Sequence, residues 1–245
     1  MATLVWAHRG ASAYAPENTL PAFEKAIQMG SDGIELDVHM SLDGELVVIH
    51  DETVDRTSNG TGAIADMTLE QLKKLDFSNG FTEYTGTSVP TLPEVYQLIG
   101  PTGLSLNVEI KCDVVMYWGI WDKLTALERE MNMQGRILYS SFNHDVLPYI
   151  RALDPKANIG LLYSGVPKKP WRDAVRMRAN AVHPNYMAIL RQPNLVRKCH
   201  ENGIAVHTWT VNDPAAMQSL SYAGVEAIIT NKPDIALAVV KSVHP

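Results

Sequence analysis

Strand-like and helix-like runs alternate along the whole chain of 245 residues, and this alternation constrains the fold more than any other feature. The runs that read as strands are 4–8, 33–40, 104–111, 136–142, 158–163, 180–184, 204–210 and 226–230. Runs with helical spacing lie between them, and the clearest is residues 18–30, which Asn18 is expected to cap and Gly30 to end. Eight such strand-then-helix units in one chain predict an α/β protein with a closed (β/α)8 barrel, the TIM-barrel fold.

A ninth strand-like run, residues 45–51, interrupts this count. Only "SLDG" separates it from the run 33–40, and a turn that short joins antiparallel strands but not parallel ones. The pattern predicts a hairpin at the barrel mouth that returns His50 to the rim. Residues from about 52 to 91 are rich in Gly, Thr, Ser and Asn and are expected to form a small insertion over the mouth of a single domain spanning 1–245.

Three carboxylates are predicted to converge inside the barrel. The strand period of two places Glu35 and Asp37 on the face opposite the apolar side chains of "GIELDVHM", and the same rule points Glu109 inward from "LSLNVEIK". Three buried carboxylates cannot all stay ionised without a compensating positive charge. Two readings stay open: an all-oxygen site for Mg²⁺ or Ca²⁺, or ion pairs with Arg9 and Lys111.

Two histidines and two cations are predicted to lie at the same rim. His8 and His50 both fall at strand ends, and a pair of imidazoles suits general acid and base catalysis near neutral pH. Arg9 and Lys111 add cations that would stabilise an oxyanion such as phosphate. Together these residue types predict phosphoryl transfer.

The overall charge narrows the choice of partners. The net charge of −6 and the pI near 5.7 argue against a nucleic-acid or anionic-membrane surface, and no apolar run is long enough to span a membrane. Two cysteines without CxxC spacing indicate no disulfide framework, and the N-terminus has no signal-peptide pattern. A cytoplasmic protein with a small-molecule substrate and no stable membrane association is expected; the oligomeric state, a homodimer included, is left open.

Several motifs in order resemble the glycerophosphodiester phosphodiesterase family: "AHRG" followed by "PENT", "GIELDVHMSLDGELVVIHDETVDRTSNGTG", "PTLPEV", "VEIK", "HP" and "TWTVN". The resemblance implies hydrolysis of glycerophosphodiesters to sn-glycerol 3-phosphate and an alcohol. It also implies a role for each candidate residue: metal binding for Glu35, Asp37 and Glu109, acid–base catalysis for His8 and His50, and substrate binding for Arg9, Lys111 and Trp209.

One position departs from the family pattern. Asn231 stands in "ITNKPD" where the family commonly has Asp, and this substitution is expected to affect local hydrogen bonding rather than activity. Two alternatives to the main prediction are a lysophospholipase D, which needs an apolar surface beside the mouth and finds its only hint in Phe77, Phe81 and Tyr84, and a non-catalytic module that binds phosphate esters. The second would be expected to lack a histidine or a metal ligand, and this chain lacks none of them.

Overall fold

The computed structural model describes residues 2–243 and contains a closed barrel of eight parallel strands. The strands are β1 (Leu4–His8), β2 (Gly33–Met40), β3 (Leu46–Val48), β4 (Ser105–Ile110), β5 (Ile137–Ser141), β6 (Asn158–Tyr163), β7 (Ala181–Pro184), β8 (Ala205–Thr208) and β9 (Ala227–Thr230). The barrel closes because β1 pairs with β2 on one side and with β9 on the other, and β3 alone stands outside the parallel order. The predicted (β/α)8 barrel is confirmed.

Helices connect the strands and cover the barrel: α1 (Leu20–Met29), α2 (Leu69–Lys73), α3 (Leu92–Ile99), α4 (Ile120–Glu130), α5 (Leu147–Leu153), α6 (Pro170–Met177), α7 (Tyr186–Arg191), α8 (Leu195–His200), α9 (Pro214–Ala223) and α10 (Pro233–Val243). Helix α1 ends as predicted at Gly30, whose left-handed φ of 80° suits a residue without a Cβ. The expected cap was wrong. Thr19 occupies the N-cap position, because the Asn18 side chain instead donates a hydrogen bond to Asp37.

The alternation of side chains along the strands separates core from site. Ile34, Leu36 and Val38 are fully buried in the main apolar core outside the barrel wall. Glu35 and Asp37 on the same strand therefore point into the barrel. Burying each of the aliphatic side chains stabilises the fold by about 1.5–3 kcal/mol, which helps to offset the cost of holding two carboxylates on the opposite face.

The hairpin and the segment that follows it form one structural unit at the mouth. Strand β3 pairs antiparallel with β2, with Val38 opposite Val48. The segment 52–91 contains short 3₁₀ turns at Ile64–Asp66 and Thr82–Tyr84 as well as helix α2. Its apolar side chains pack with those of the hairpin in a separate cluster: Val47, Ile49, Val54, Ile64, Leu72, Phe77 and Val89.

Two further observations bear on lipid interaction. Phe77 is only 4% exposed, so it adds no apolar surface beside the mouth and weakens the lysophospholipase D hint. Among residues 2–243, none of the helices combines the length and the apolar character needed to cross a bilayer.

Candidate active site

A pocket of about 390 Å³ lies at the carboxyl ends of the barrel strands. Its lining residues are His8, Arg9, Glu35, His50, Asn107, Glu109, Phe142, Leu162, Trp209, Thr210 and Ile229. The pocket brings together six of the eight predicted site residues. The other two, Asp37 and Lys111, lie directly behind the pocket lining. Lys111 contacts both Asp37 and the lining residue Glu109.

The three predicted carboxylates converge at the base of this pocket. Asp37 on β2 is paired in register with Glu109 on β4, and Glu35 lies two residues earlier on β2. One oxygen from each of the three lies within 4.8 Å of the others, and the residues are 4%, 0% and 6% exposed for Glu35, Asp37 and Glu109. These distances follow from parallel strand pairing, which sets neighbouring inward side chains side by side.

Both predicted cations form ion pairs with the cluster. Arg9 Nε lies 3.3 Å from Asp37 Oδ2, and Lys111 Nζ lies 2.8 Å from Glu109 Oε1 and 3.8 Å from Asp37 Oδ1. The backbone N–H of Arg9 also donates to Glu35 Oε2 at 3.0 Å. Arg9 can do this because it turns the chain with a left-handed φ of 56°, and Gly10 follows at 80°. A Cβ on Gly10 would lie 2.7 Å from the Ala22 backbone.

The three carboxyl groups have different proton affinities. Burial, followed by the charges of Asp37 and Glu109, raises the pKa of Glu35 well above its usual range. Burial and then Asp37 raise the pKa of Glu109 to about 7 despite its contact with Lys111. Burial alone would raise the pKa of Asp37 too, but Arg9, His50 and Lys111 outweigh burial and hold this pKa at about 2. Asp37 is thus the firmly ionised member of the cluster.

The cluster could hold a metal ion. Within the described part of the chain, Asp37 Oδ1 is a buried oxygen without a hydrogen-bond partner, and this is the kind of atom that a cation would satisfy. All three side chains offer oxygen ligands, which suit hard cations such as Mg²⁺ and Ca²⁺. The two readings left open by the sequence are therefore compatible: Arg9 and Lys111 hold the carboxylates in place, and free oxygen ligands are still available.

The two pocket histidines have different partners. His8 donates from Nδ1 to the amide oxygen of Asn231 at 2.7 Å, and its Nε2 lies 3.5 Å from Thr210 Oγ1. Burial and the adjacent Arg9 lower the pKa of His8 to about 4. His50 instead places Nδ1 2.6 Å from a carboxylate oxygen of Asp51. His8 thus has a neutral partner and His50 an anionic one.

His50 is also held through its backbone. His39, fully buried on β2, donates from Nε2 to the His50 carbonyl oxygen at 3.1 Å and accepts a hydrogen bond at Nδ1 from the Tyr117 hydroxyl at 3.0 Å. His39 thus fixes the backbone at the end of the hairpin next to His50.

A network that the sequence reasoning missed connects the two sides of the mouth. Arg56, in the segment 52–91, donates to both oxygens of Glu17 at 2.8 Å and to the two oxygens of Asp51 at 2.7 and 3.0 Å. Glu17 in turn accepts a hydrogen bond from Arg9 Nη1 at 2.8 Å. The run "HDETVDR" was a signal for this network, since it places an acid and an arginine close behind His50.

An aromatic side chain forms one wall of the pocket. Trp209 donates from Nε1 to the His183 carbonyl oxygen at 2.8 Å, and its ring meets Phe142 edge to face at 5.5 Å. His183 and His207 lie below this wall, 3.0 Å apart inside the barrel, and do not line the pocket.

Known proteins resemble this chain in sequence and in fold. The model of the "Glycerophosphoryl diester phosphodiesterase family" matches residues 8–235. A glycerophosphodiester phosphodiesterase of Caldanaerobacter subterraneus subsp. tengcongensis is 47% identical over 242 residues, covering 98% of this chain and 99% of the relative. Another, from Bacillus subtilis, is 36% identical and covers 95% and 84% of the two chains.

A solved structure adds a ligand to the comparison. An Oleispira antarctica phosphodiesterase, in complex with the product sn-glycerol-3-phosphate, matches with a TM-score of 0.87 and 30% identity over 98% of this chain and 97% of its own. The fold and the site together define a (β/α)8-barrel hydrolase of phosphoric diesters. The chain belongs to the glycerophosphoryl diester phosphodiesterase family, a match that spans all three predicted metal ligands and both pocket histidines.

Proposed function

We propose that the protein hydrolyses glycerophosphodiesters to sn-glycerol 3-phosphate and an alcohol in a metal-dependent reaction, with His8 and His50 as the acid–base pair. The observation that carries the proposal is that both imidazoles line one pocket whose base holds three clustered carboxylates. The product bound in the Oleispira antarctica relative supports the same substrate class.

The different partners of the histidines assign their roles. His8 donates its Nδ1 proton to neutral Asn231, so Nε2 is the free basic nitrogen, and the low pKa keeps the ring neutral at pH 7. His8 is therefore the general base, which takes a proton from the attacking hydroxyl. Attack by water gives sn-glycerol 3-phosphate directly, whereas attack by the 2-hydroxyl of the glycerol gives a cyclic phosphate that a water molecule then opens to the same product. The Asp51 carboxylate lies 2.6 Å from Nδ1 of His50 and orients its ring, and His50 is the general acid that gives its proton to the departing alcohol oxygen.

Glu35, Asp37 and Glu109 are the residues that would hold Mg²⁺ or Ca²⁺, which supplies a Lewis acid for a phosphate oxygen. Arg9 lines the pocket and can donate to phosphate while Glu17 and Asp37 fix its guanidinium. Lys111 contributes positive charge from behind Glu109, and Trp209 packs against the glycerol side of the substrate.

Segment 52–91 is included in this catalytic unit. Arg56 in this segment donates hydrogen bonds to Glu17, which contacts Arg9, and to Asp51, which contacts His50. We therefore include the segment in the site and do not treat it as a separate domain. This arrangement supports the proposal of a single functional domain spanning residues 1–245, with the insertion at about 52–91.

The test is a coupled assay for glycerol 3-phosphate with a panel of glycerophosphodiesters. The protein is assayed after EDTA treatment and after adding back Mg²⁺ or Ca²⁺. Turnover that disappears with EDTA and returns with either ion is expected. For variants of His8 and His50, His200→Ala is the matched control. His200 is exposed on α8, and its ion-pair partner within the described residues is Glu226. Full turnover after EDTA treatment would mean that the reaction does not depend on a metal ion.

A further inference from the structure

A second cavity adjoins the active-site pocket. It has a volume of about 560 Å³, is open to solvent, and shares Phe142 and Leu162 with the pocket. We call it the β5–β6 groove, because its lining residues follow the ends of β5 and β6: Phe142, His144, Leu162, Tyr163, Ser164, Gly165, Val166 and Pro167.

Hydrogen bonds and ring contacts hold the walls of the β5–β6 groove in place. His144 bonds through Nε2 to the Leu162 carbonyl oxygen at 2.9 Å and meets the Tyr163 ring edge to face at 5.0 Å. On the far side, Gln192 donates to the Pro167 carbonyl oxygen at 3.1 Å. The groove is thus formed before any ligand arrives, as small-molecule sites usually are.

The β5–β6 groove carries no formal charge on its walls. Its eight lining residues, all within the described range 2–243, include no aspartate, glutamate, lysine or arginine. Along the chain, the nearest charged residues are exposed and outside the lining: Asp145, Lys168 and Lys169.

A phosphodiester needs space for two arms on either side of the phosphate. His8, Arg9 and His50, the residues proposed to bind phosphate and move protons, line the pocket. The β5–β6 groove adjoins that pocket at Phe142 and Leu162, so it is the neighbouring space in which the second arm could lie.

We propose that the β5–β6 groove is the subsite for the alcohol arm, and that it favours an uncharged alcohol such as glycerol over an ammonium alcohol such as ethanolamine. The inference rests on the proposed function. An ammonium loses hydration on entering the groove and finds no carboxylate among the lining residues, whereas a polyol can bond to the exposed Ser164 hydroxyl without that loss.

The proposal can be tested by placing a charge in the groove. Val166 is 44% exposed, so a charged side chain fits there without a buried cavity or clash. The measurement is kcat/KM for glycerophosphoethanolamine divided by kcat/KM for glycerophosphoglycerol, two substrates that differ only in the alcohol. Val166→Glu should raise this ratio at least about fivefold, and Val166→Lys should lower it, because a charge several ångströms from the ammonium acts in a partly solvated site.

Two further variants protect the test. Val175→Glu places the same charge on a 51% exposed valine of α6 that lies outside the groove, and it should leave the ratio unchanged. Ser164→Glu, at a second exposed lining position, should act in the same direction as Val166→Glu. Ratios within twofold of wild type for all groove variants, with hydrolysis intact, overturn the subsite. Absence of hydrolysis for every glycerophosphodiester in the wild-type protein overturns the proposed function instead.

Discussion

Asn231 accepts a 2.7 Å hydrogen bond from His8 Nδ1 through its side-chain oxygen. The bond places the proton on Nδ1 and leaves Nε2, on the side of Glu35 and Thr210, free to accept one. An aspartate at this position would hold the same tautomer and add a negative charge. The sequence led us to expect that this departure from the family pattern affects only local hydrogen bonding. The structure places Asn231 on His8, a proposed catalytic residue, so the departure also sets the charge beside that imidazole.

Asn231→Asp should move the acidic limb of the pH–activity profile upward. A carboxylate beside Nδ1 favours the imidazolium, so the pKa of His8, now lowered to about 4, should rise by about 1–2 units. A general base works only when it is neutral, and activity should therefore be lost at a higher pH as the solution is acidified. The profile of kcat/KM against pH measures this shift. If the acidic limb does not move, protonation of His8 is not what limits activity at low pH.

The two pocket histidines should respond differently to the leaving group. His8→Ala and His50→Ala should each lower kcat by a factor on the order of 10² to 10⁴, and the double variant should lose less than the product of the two losses. A nitrophenyl phosphodiester needs no proton on its leaving oxygen. It should restore most of the activity of His50→Ala and little of that of His8→Ala. Rescue of His8→Ala instead of His50→Ala would mean that His8 is the general acid and His50 the general base.

Removing carboxylates from the cluster should have opposite effects on stability in EDTA at pH 8. Glu35→Gln removes a buried charge that burial and its acidic neighbours disfavour, so the melting temperature should hold or rise. Asp37→Asn leaves the buried positive charges of Arg9 and Lys111 without their shared partner, and should cost on the order of 3 kcal/mol. Both variants should lose turnover. Thermal melts of the two variants in EDTA measure these effects. Equal destabilisation by Glu35→Gln and Asp37→Asn would contradict the charge balance inferred for the cluster.

The stability of the metal-free protein should depend on Glu109 in a defined pH window. The pKa of this carboxyl is raised from 4.5 to about 7 on folding. Below pH 4.5 it is protonated in both states and has no effect; between pH 4.5 and 7 only the unfolded chain releases the proton, so rising pH favours unfolding. The free energy lost is up to about 3 kcal/mol across this window.

Buried histidines oppose this trend, because the pKa values of His8 and His207 are both lowered to about 4. The measurement is therefore the difference in unfolding free energy between Glu109→Gln and wild type, in which the histidine contributions cancel. This difference should grow from pH 4.5 to 7 in EDTA and shrink when Mg²⁺ or Ca²⁺ is added. A constant difference would mean that Glu109 titrates normally.

Arg56 should matter for catalysis although it is 45% exposed. Arg56→Gln frees Asp51 from its position beside His50 and Glu17 from its position beside Arg9, and should lower kcat/KM roughly 10- to 100-fold, as the loss of outer-shell partners commonly does. Arg176→Gln is the control, since Arg176 pairs only with Asp173 on the same surface helix. Double variants with Asp51→Asn should be less than additive, and fully additive losses would speak against one network.

The barrel was predictable because its signals are local. Strand and helix periods repeat in the sequence, and the four residues of "SLDG" were enough to distinguish a hairpin from a parallel strand. The convergence of Glu35, Asp37 and Glu109 followed from the same period of two. Asn18 was misread as a helix cap because its preference for that position is local, whereas its bond to Asp37 depends on how α1 meets β2. Arg56 was missed for a similar reason: its partners meet only after segment 52–91 has folded over the mouth.

The shared packing of the hairpin and the segment 52–91 affects how the enzyme loses activity on heating or in denaturant. Val47 and Ile49 sit in the same apolar cluster as Leu72 and Phe77, separate from the cluster that fills the barrel wall. A region held by its own small cluster can open at a lower free energy than the global transition. Opening of this region would carry His50 and Arg56 away from the pocket while the eight parallel strands stay paired. Heat or mild denaturant would then switch off turnover in molecules whose barrel is still folded, and cooling would restore it without refolding the chain.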